Sequence, residues 1–216
     1  MIKVPSKYQA LFFDFDGVLA DTVEVKTEAF GLLFDDYGPE IREMVISHHR
    51  DHGGMPRVDK FRHYYQYFLC LPLSDDKLTE LCDAFEKLVV DKVVSAPEIP
   101  GAEEFLILNK ELPRFVISGT PHDEIREIIQ RRGWSKYFED VCGAPISKTE
   151  HLGELLSRFA FRPDECLFFG DATADYDAAK EHGVPFIGIL PDENAPLLRF
   201  APDIKWAKDF KSLKVY

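Results

Sequence analysis

Basic side chains are scarce in this chain of 216 residues: 26 Lys and Arg stand against 38 Asp and Glu, for a formal net charge of −12. A chain this acidic repels polyphosphate backbones and gains nothing from an anionic lipid surface, which sets nucleic acid and membrane aside as partners. Any phosphate site must therefore be positive locally, against the field of the whole protein, and a bound divalent cation is one way to achieve that. Cysteine is sparse as well. Cys70, Cys82, Cys142 and Cys166 match no zinc spacing. The last three sit in apolar runs and read as buried thiols. No apolar stretch approaches the roughly 20 residues needed to cross a bilayer. The opening segment, 1–9, is polar and lacks the apolar centre of a signal peptide. These absences point to a reducing compartment, the cytoplasm. Internal repeats and low-complexity segments are also missing.

What is present is a pattern of strand followed by helix. The length suits one core with an inserted or appended subdomain, and 45% apolar residues are enough to build it. Ala10-Leu11-Phe12-Phe13 is a nearly continuous apolar run that ends in Asp14, Phe15, Asp16 and Gly17. Such a run predicts a strand buried on both faces of a parallel sheet. Residues 114–118, 165–169 and 185–190 look alike. Between them, Ile125, Ile128 and Ile129 share one helical face, as do Leu152, Leu155, Leu156 and Phe159. Thr120 reads as a helix N-cap near the site, with Pro121 at the first helical position. Ser147-Lys148-Thr149-Glu150 reads as a capping box, and Gly133 and Gly183 as helix stops. The alternation predicts a parallel α/β fold, a Rossmann-like sheet core.

Residues 22–95 break the pattern and contain no convincing strand. One helix carries Val23, Phe30, Leu33, Phe34 and Tyr37. Another starts from the cap Ser74 and carries Leu78, Leu81, Cys82, Phe85, Leu88 and Val89. The aromatic segment 61–69 lies between them and reads as their core, and 96–101 reads as the return linker. The expected organisation is a core of 1–21 and 96–216 with an inserted α-helical subdomain at 22–95.

Ligands collect at the carboxyl ends of strands in such sheets. The predicted strand ends carry Asp14 and Asp16, then Ser118, Gly119 and Thr120, then Gly170, Asp171 and Asp175, while Lys148 opens a helix. Two bare carboxylates about 4 Å apart repel by about 4 kcal/mol at an effective dielectric of 20. A pocket of several such groups calls for a hard divalent cation, and Mg²⁺ suits few carboxylates, waters and a phosphate oxygen. Lys148 and the N–H groups around Gly119 suit the remaining phosphoryl oxygens.

The run from Asp14 to Thr22 resembles the first motif of the haloacid dehalogenase superfamily. Ser118 is similar to its second motif, Lys148 to its third, and Gly170-Asp171-Ala172-Thr173-Ala174-Asp175 to its fourth, in order along nearly the whole chain. The helical segment resembles the small cap that one large branch, the phosphoglycolate phosphatase and phosphomutase-like branch, carries between its first two motifs. The resemblance implies Asp14 as nucleophile. It implies Asp16 as the acid, then base, with a raised pKa, and Ser118 and Lys148 on the phosphoryl group. The implied Mg²⁺ ligands are Asp14, the backbone carbonyl of Asp16 and Asp171, with Asp175 supporting them or joining them. The implied activity is a Mg²⁺-dependent phosphatase that hydrolyses a small phosphorylated metabolite through an aspartyl-phosphate. A phosphomutase and a non-catalytic binding protein are the alternatives. Mutases of the superfamily commonly carry a histidine where this chain has Lys26.

The segment from His48 through His49, Arg50, Asp51, His52, Gly53 and Gly54 to Arg57 has two readings. One is a mobile loop that enters the pocket, with Arg57 on a carboxylate or second phosphate. The other is an exposed polar turn. A zinc site on His48 and His52 lacks a third ligand.

Overall fold

A computed structural model describes residue 5 and residues 7–214. Residues 1–4 and 6 of the polar opening segment lie outside the described residues, as do 215 and 216. A six-stranded sheet forms the centre, with strands β1 Ala10–Phe13, β2 Arg114–Pro121, β3 Asp140–Ala144, β4 Cys166–Gly170, β5 Phe186–Ile189 and β6 Lys205–Ala207. Their order is β3-β2-β1-β4-β5-β6 and every pairing is parallel. The sheet is flanked by α5 Ala102–Leu108, α6 His122–Arg131, α7 Lys148–Arg158, α8 Thr173–His182 and α9 Pro196–Phe200, and the four earlier helices lie in the segment between β1 and α5.

The period-2 geometry of a strand explains why β1 is apolar throughout. Leu11 and Phe13 enter one hydrophobic cluster, with Val116, Leu167 and Phe169. Ala10 and Phe12 enter the other, with Phe115, Ile117, Cys166 and Phe168. Phe13 stacks on Phe169 at 5.1 Å and Phe12 on Phe115 at 5.2 Å. The three Ile of α6 and Leu152, Leu155 and Leu156 of α7 are buried as their spacing predicts. Strands β3 and β6 escape the sequence reading. The first carries a glycine and an aspartate, and the second has three residues with Lys205 and Trp206 exposed at the sheet margin. Neither offers the apolar run that marks an interior strand.

The expected capping box at Ser147 is present, with reciprocal bonds to Glu150, and α8 stops at Gly183. The Thr120 cap is not. Strand β2 runs on to Pro121 and α6 begins at His122, so Thr120 belongs to a strand end and its side chain faces elsewhere.

Between β1 and α5 lie α1 Val23–Leu33, α2 Pro39–Asp51, α3 Arg57–His63 and α4 Asp75–Ser95, with short turns at Asp35–Tyr37 and Tyr64–Leu69. Their core is aromatic. Phe30 meets Phe85 at 4.3 Å and Phe61 at 5.5 Å, and Tyr64 stands edge-on to Phe34 at 5.4 Å. The wide turn at Tyr64–Leu69 has π-helical geometry, which buries Tyr64 and Tyr65 and leaves Tyr67 at the surface. Ser74 caps α4 by accepting from the Lys77 N–H. The far end of α4 is capped from the sheet layer, where Arg132 donates to the carbonyls of Val93, Val94 and Ala96 at 2.8–3.0 Å.

Candidate active site

Parallel register brings the acids together. Phe13 pairs with Phe169, so the residues that follow β1 and β4 leave the sheet side by side. Asp14 N–H continues the ladder to the Phe169 carbonyl at 2.9 Å. The chain then turns through Gly17, whose φ of +75° is a left-handed conformation. A Cβ there would stand 2.4 Å from Asp171 Oδ2. Glycine thus lets the first loop press against the carboxylate that follows β4.

Lys148, the first residue of α7, closes the cluster. Its Nζ lies 3.0 Å from Asp14 Oδ1 and donates to Asp175 Oδ1 at 2.7 Å. Asp175, wholly buried, also accepts from the Ala172 N–H through Oδ2 at 3.1 Å. Asp14, Asp171 and Asp175 each offer an oxygen within 4.8 Å of the others. Asp14 Oδ1 meets Lys148 without hydrogen-bond alignment and is otherwise unpartnered among the described residues. Burial pushes the Asp14 carboxyl up to about 7. Lys148 opposes this, and Asp175 and Asp16 reinforce it. Burial, with Asp14 and Asp175, pushes Asp171 well above the usual range. Burial lowers Lys148, but the two aspartates outweigh it and hold the ammonium charged. One ammonium thus faces three carboxylates. The excess negative charge and the all-oxygen donor set fit a hard divalent cation.

Asp16 sits apart from this cluster. Its Oδ2 accepts from Lys26 Nζ at 2.5 Å and from Thr120 Oγ1 at 3.1 Å, and its Oδ1 accepts from Thr22 Oγ1 at 2.6 Å. Burial raises this carboxyl, but Lys26 and the two hydroxyls outweigh burial and hold it below its ordinary value. The expected raised pKa is therefore corrected. The sequence reading did not bring a lysine from α1 onto Asp16. Its signals were the position of Lys26, four residues beyond Thr22, and its place where mutases of the superfamily commonly carry a histidine.

Ser118 is buried within β2, three residues before its end, and its Oγ accepts from the Thr120 N–H at 3.1 Å. Gly119 and Thr120 line the neighbouring cavity and Ser118 does not. That cavity, of about 800 Å³, is bounded on one side by Asp14, Asp16, Lys148 and Asp171. On the other side the helical segment contributes Lys26, Phe30, His49, Arg57, Lys60 and Phe85.

The segment from His48 to Arg57 is neither a free loop nor a plain exposed turn. His48 to Asp51 complete α2, and His49 is buried. Gly54 lies against the sheet layer, where a Cβ would meet Ala174 at 3.0 Å, Ala172 at 3.1 Å and Lys148 Nζ at 3.8 Å. A Cβ on Gly119 would meet the Gly54 carbonyl oxygen at 3.0 Å. Arg57 is buried, and the carboxylate it meets is the protein's own: its Nη2 pairs with Glu124 Oε1 of α6 at 2.5 Å. His48 stacks between His52 and His63 at 4.2 Å each and belongs to no metal-holding group among the described residues.

A family model described as haloacid dehalogenase-like hydrolase matches residues 11–189. The chain is 25% identical over 186 residues to a phosphoglycolate phosphatase of Synechococcus elongatus, covering 84% of this chain and 83% of that protein. It is 27% identical over 204 residues to a phosphorylated carbohydrates phosphatase of Thermotoga maritima, covering 86% and 87%. Its fold is similar to that of a β-phosphoglucomutase from Clostridium difficile, with a TM-score of 0.76 at 18% identity over 96% of this chain and 93% of that one.

Proposed function

The chain belongs to the haloacid dehalogenase-like hydrolase family, and from that premise we propose that it is a Mg²⁺-dependent phosphatase acting on a small phosphorylated metabolite. The observation that carries this reading is the buried cluster of Asp14, Lys148 and Asp175, of which Asp14 and Lys148 line a cavity, with a second lining carboxylate, Asp16, two residues from Asp14. Two relatives named as phosphatases support it.

In this reading Asp14 Oδ attacks phosphorus, an aspartyl O–P bond forms, and the bond to the leaving oxygen breaks. Asp16 delivers the proton that the leaving oxygen requires. Water then attacks the aspartyl-phosphate, Asp16 takes its proton back from that water, and inorganic phosphate departs. Splitting the displacement in two replaces one difficult step with two easier ones. Lys148 neutralises the phosphoryl oxygens, and Gly119 lines the cavity beside them. Ser118 accepts from the Thr120 amide and keeps its own O–H to donate to a phosphoryl oxygen. In the free protein Lys26 keeps Asp16 ionised. An arriving phosphate dianion competes for Lys26, so that Asp16 takes up a proton from solvent and then carries it to the leaving oxygen in the first step.

Asp14, Asp171 and the backbone carbonyl of Asp16 would hold Mg²⁺, with Asp175 bracing the set through Lys148 and the Ala172 amide. When bound, the ion supplies charge neutralisation at the phosphoryl oxygens. Residues 22–95 serve as a cap over the core of 1–21 and 96–216. With its Gly54 contact, the cap excludes water and limits entry to small substrates.

The test is phosphate release from a panel of phosphorylated metabolites, with Mg²⁺ and with chelator, using wild type and Asp14→Asn. Release that both chelator and Asp14→Asn abolish is expected. Release that survives Asp14→Asn overturns the covalent route. Phosphoryl movement within a sugar phosphate without release points to a mutase.

A further inference from the structure

Four of the cationic side chains that line the cavity are buried, and three of these four are neutralised by the protein itself. Lys148 faces Asp14 and Asp175, Lys26 faces Asp16, and Arg57 faces Glu124. Lys60 is the exception. It is 1% exposed, yet no carboxylate pairs with it among the described residues. Its Nζ meets His49 Nδ1 at 2.6 Å, donates weakly to the Gly53 carbonyl at 3.4 Å, and stands 5.3 Å from the centre of the Phe30 ring. An imidazole nitrogen, a carbonyl and a ring face can accept from an ammonium group, but none balances its charge. A buried charge without a counter-charge is costly, so the position favours an anion that arrives from outside.

Resting on the phosphatase reading, we propose that Lys60, set by His49, binds a second anionic group on the substrate, so that the enzyme selects short phosphate esters carrying a further negative charge. The geometry limits the span. Gly53 touches Lys60 and its neighbour Gly54 lies beside Lys148. The Gly53 carbonyl oxygen and the Gly54 Cα share one peptide plane, so the two ammonium groups lie no more than roughly 12 Å from each other. A phosphoryl group at Lys148 and a carboxylate or second phosphate at Lys60 are then within about four atoms of each other in one small molecule. The electrostatics agree. Burial and the neighbouring Lys26 lower the Lys60 ammonium to about 7, against the pull of Asp16 and Asp171. An anion bound beside it restores the charge.

The test measures binding, not turnover, so that it stands even if hydrolysis proves to be the wrong reaction. Calorimetry in Mg²⁺ compares 3-phosphonopropionate and 1,3-propanediphosphonate, each with a second anion, against the neutral-tailed propylphosphonate. Wild type is expected to bind at least one of the two at least tenfold more tightly than propylphosphonate, and which of them wins identifies carboxylate or phosphate. Lys60→Met is expected to bring the affinities within about threefold, while Lys60→Arg retains most of the gap. A purely structural lysine would weaken all three ligands together and leave their ratio intact. That result, or a wild type that binds all three alike, overturns the proposal. Lys60→Gln replaces Lys60→Met if the latter does not fold. Failure of the phosphatase reading appears separately, as a metabolite panel without phosphate release.

Discussion

Glu124→Ala tests how the helical segment is tied to the sheet layer. Arg57 of α3 and Glu124 of α6 form an ion pair across that junction at 2.5 Å, with side chains 6% and 3% exposed. Removing Glu124 leaves a buried guanidinium whose remaining support includes the Phe85 ring, 4.7 Å from its carbon. Breaking a buried pair from one side costs about 3–5 kcal/mol. For a chain of this size, each kcal/mol moves the midpoint by about 2–4 °C, so a fall of roughly 6–20 °C is expected. Glu124 also titrates above its ordinary value, because burial outweighs the pull of Arg57. The pair therefore does not repay the burial of its carboxylate, and the double variant Arg57→Met with Glu124→Leu should recover most or all of the loss. The sign with pH follows. A carboxyl raised in the folded state contributes stability that is full below its unfolded pKa and is lost as pH rises through the folded value. Wild type minus Glu124→Gln should show that decline, read by urea unfolding between pH 4 and pH 8. A single variant within about 1 kcal/mol of wild type, or a double variant as weak as Glu124→Ala, would refute the reasoning.

Three further outcomes are expected. Beryllium fluoride with Mg²⁺, which mimics an aspartyl-phosphate, should stabilise the protein by about 2.7 kcal/mol at a hundredfold excess over its Kd, a rise of roughly 5–11 °C; Asp14→Asn should lose the shift in differential scanning fluorimetry. Gly17→Ala should cost at least about 1–2 kcal/mol, since it strains a left-handed residue and drives a methyl into Asp171; Mg²⁺ affinity by calorimetry should fall with it, and an unchanged affinity would separate the loop from the metal site. A thiol reagent should label Cys70, which is exposed, much faster than Cys142 and Cys166, whose thiols burial pushes up to about 12; peptide mapping of the native protein would show any other order.

Much of the fold and half of the candidate site were legible in the sequence. The apolar runs that became β1, β2, β4 and β5 mark interior strands, because only strands covered on both faces need such runs. Asp14, Asp16, Lys148, Asp171 and Asp175 could be located because strand ends and helix starts are local features, and parallel register carries them to one edge. Strands β3 and β6 and the end of β2 at Pro121 were not legible. Partner strands decide those boundaries, and no nearby residue signals them. The protonation of Asp16 was read with the wrong sign because it depends on Lys26, which α1 swings back onto it. Likewise Arg57 could not be known as a paired residue without Glu124, 67 positions away. The contact of Gly54 with Gly119, and the carboxylate-free burial of Lys60, are of the same kind. The sequence alone determined which chemical groups stand at the ends of the sheet, because that follows from short-range periodicity. The tertiary structure alone decided which charges are cancelled and which are left for a ligand, because electrostatic pairing acts through space between residues that the chain order does not relate.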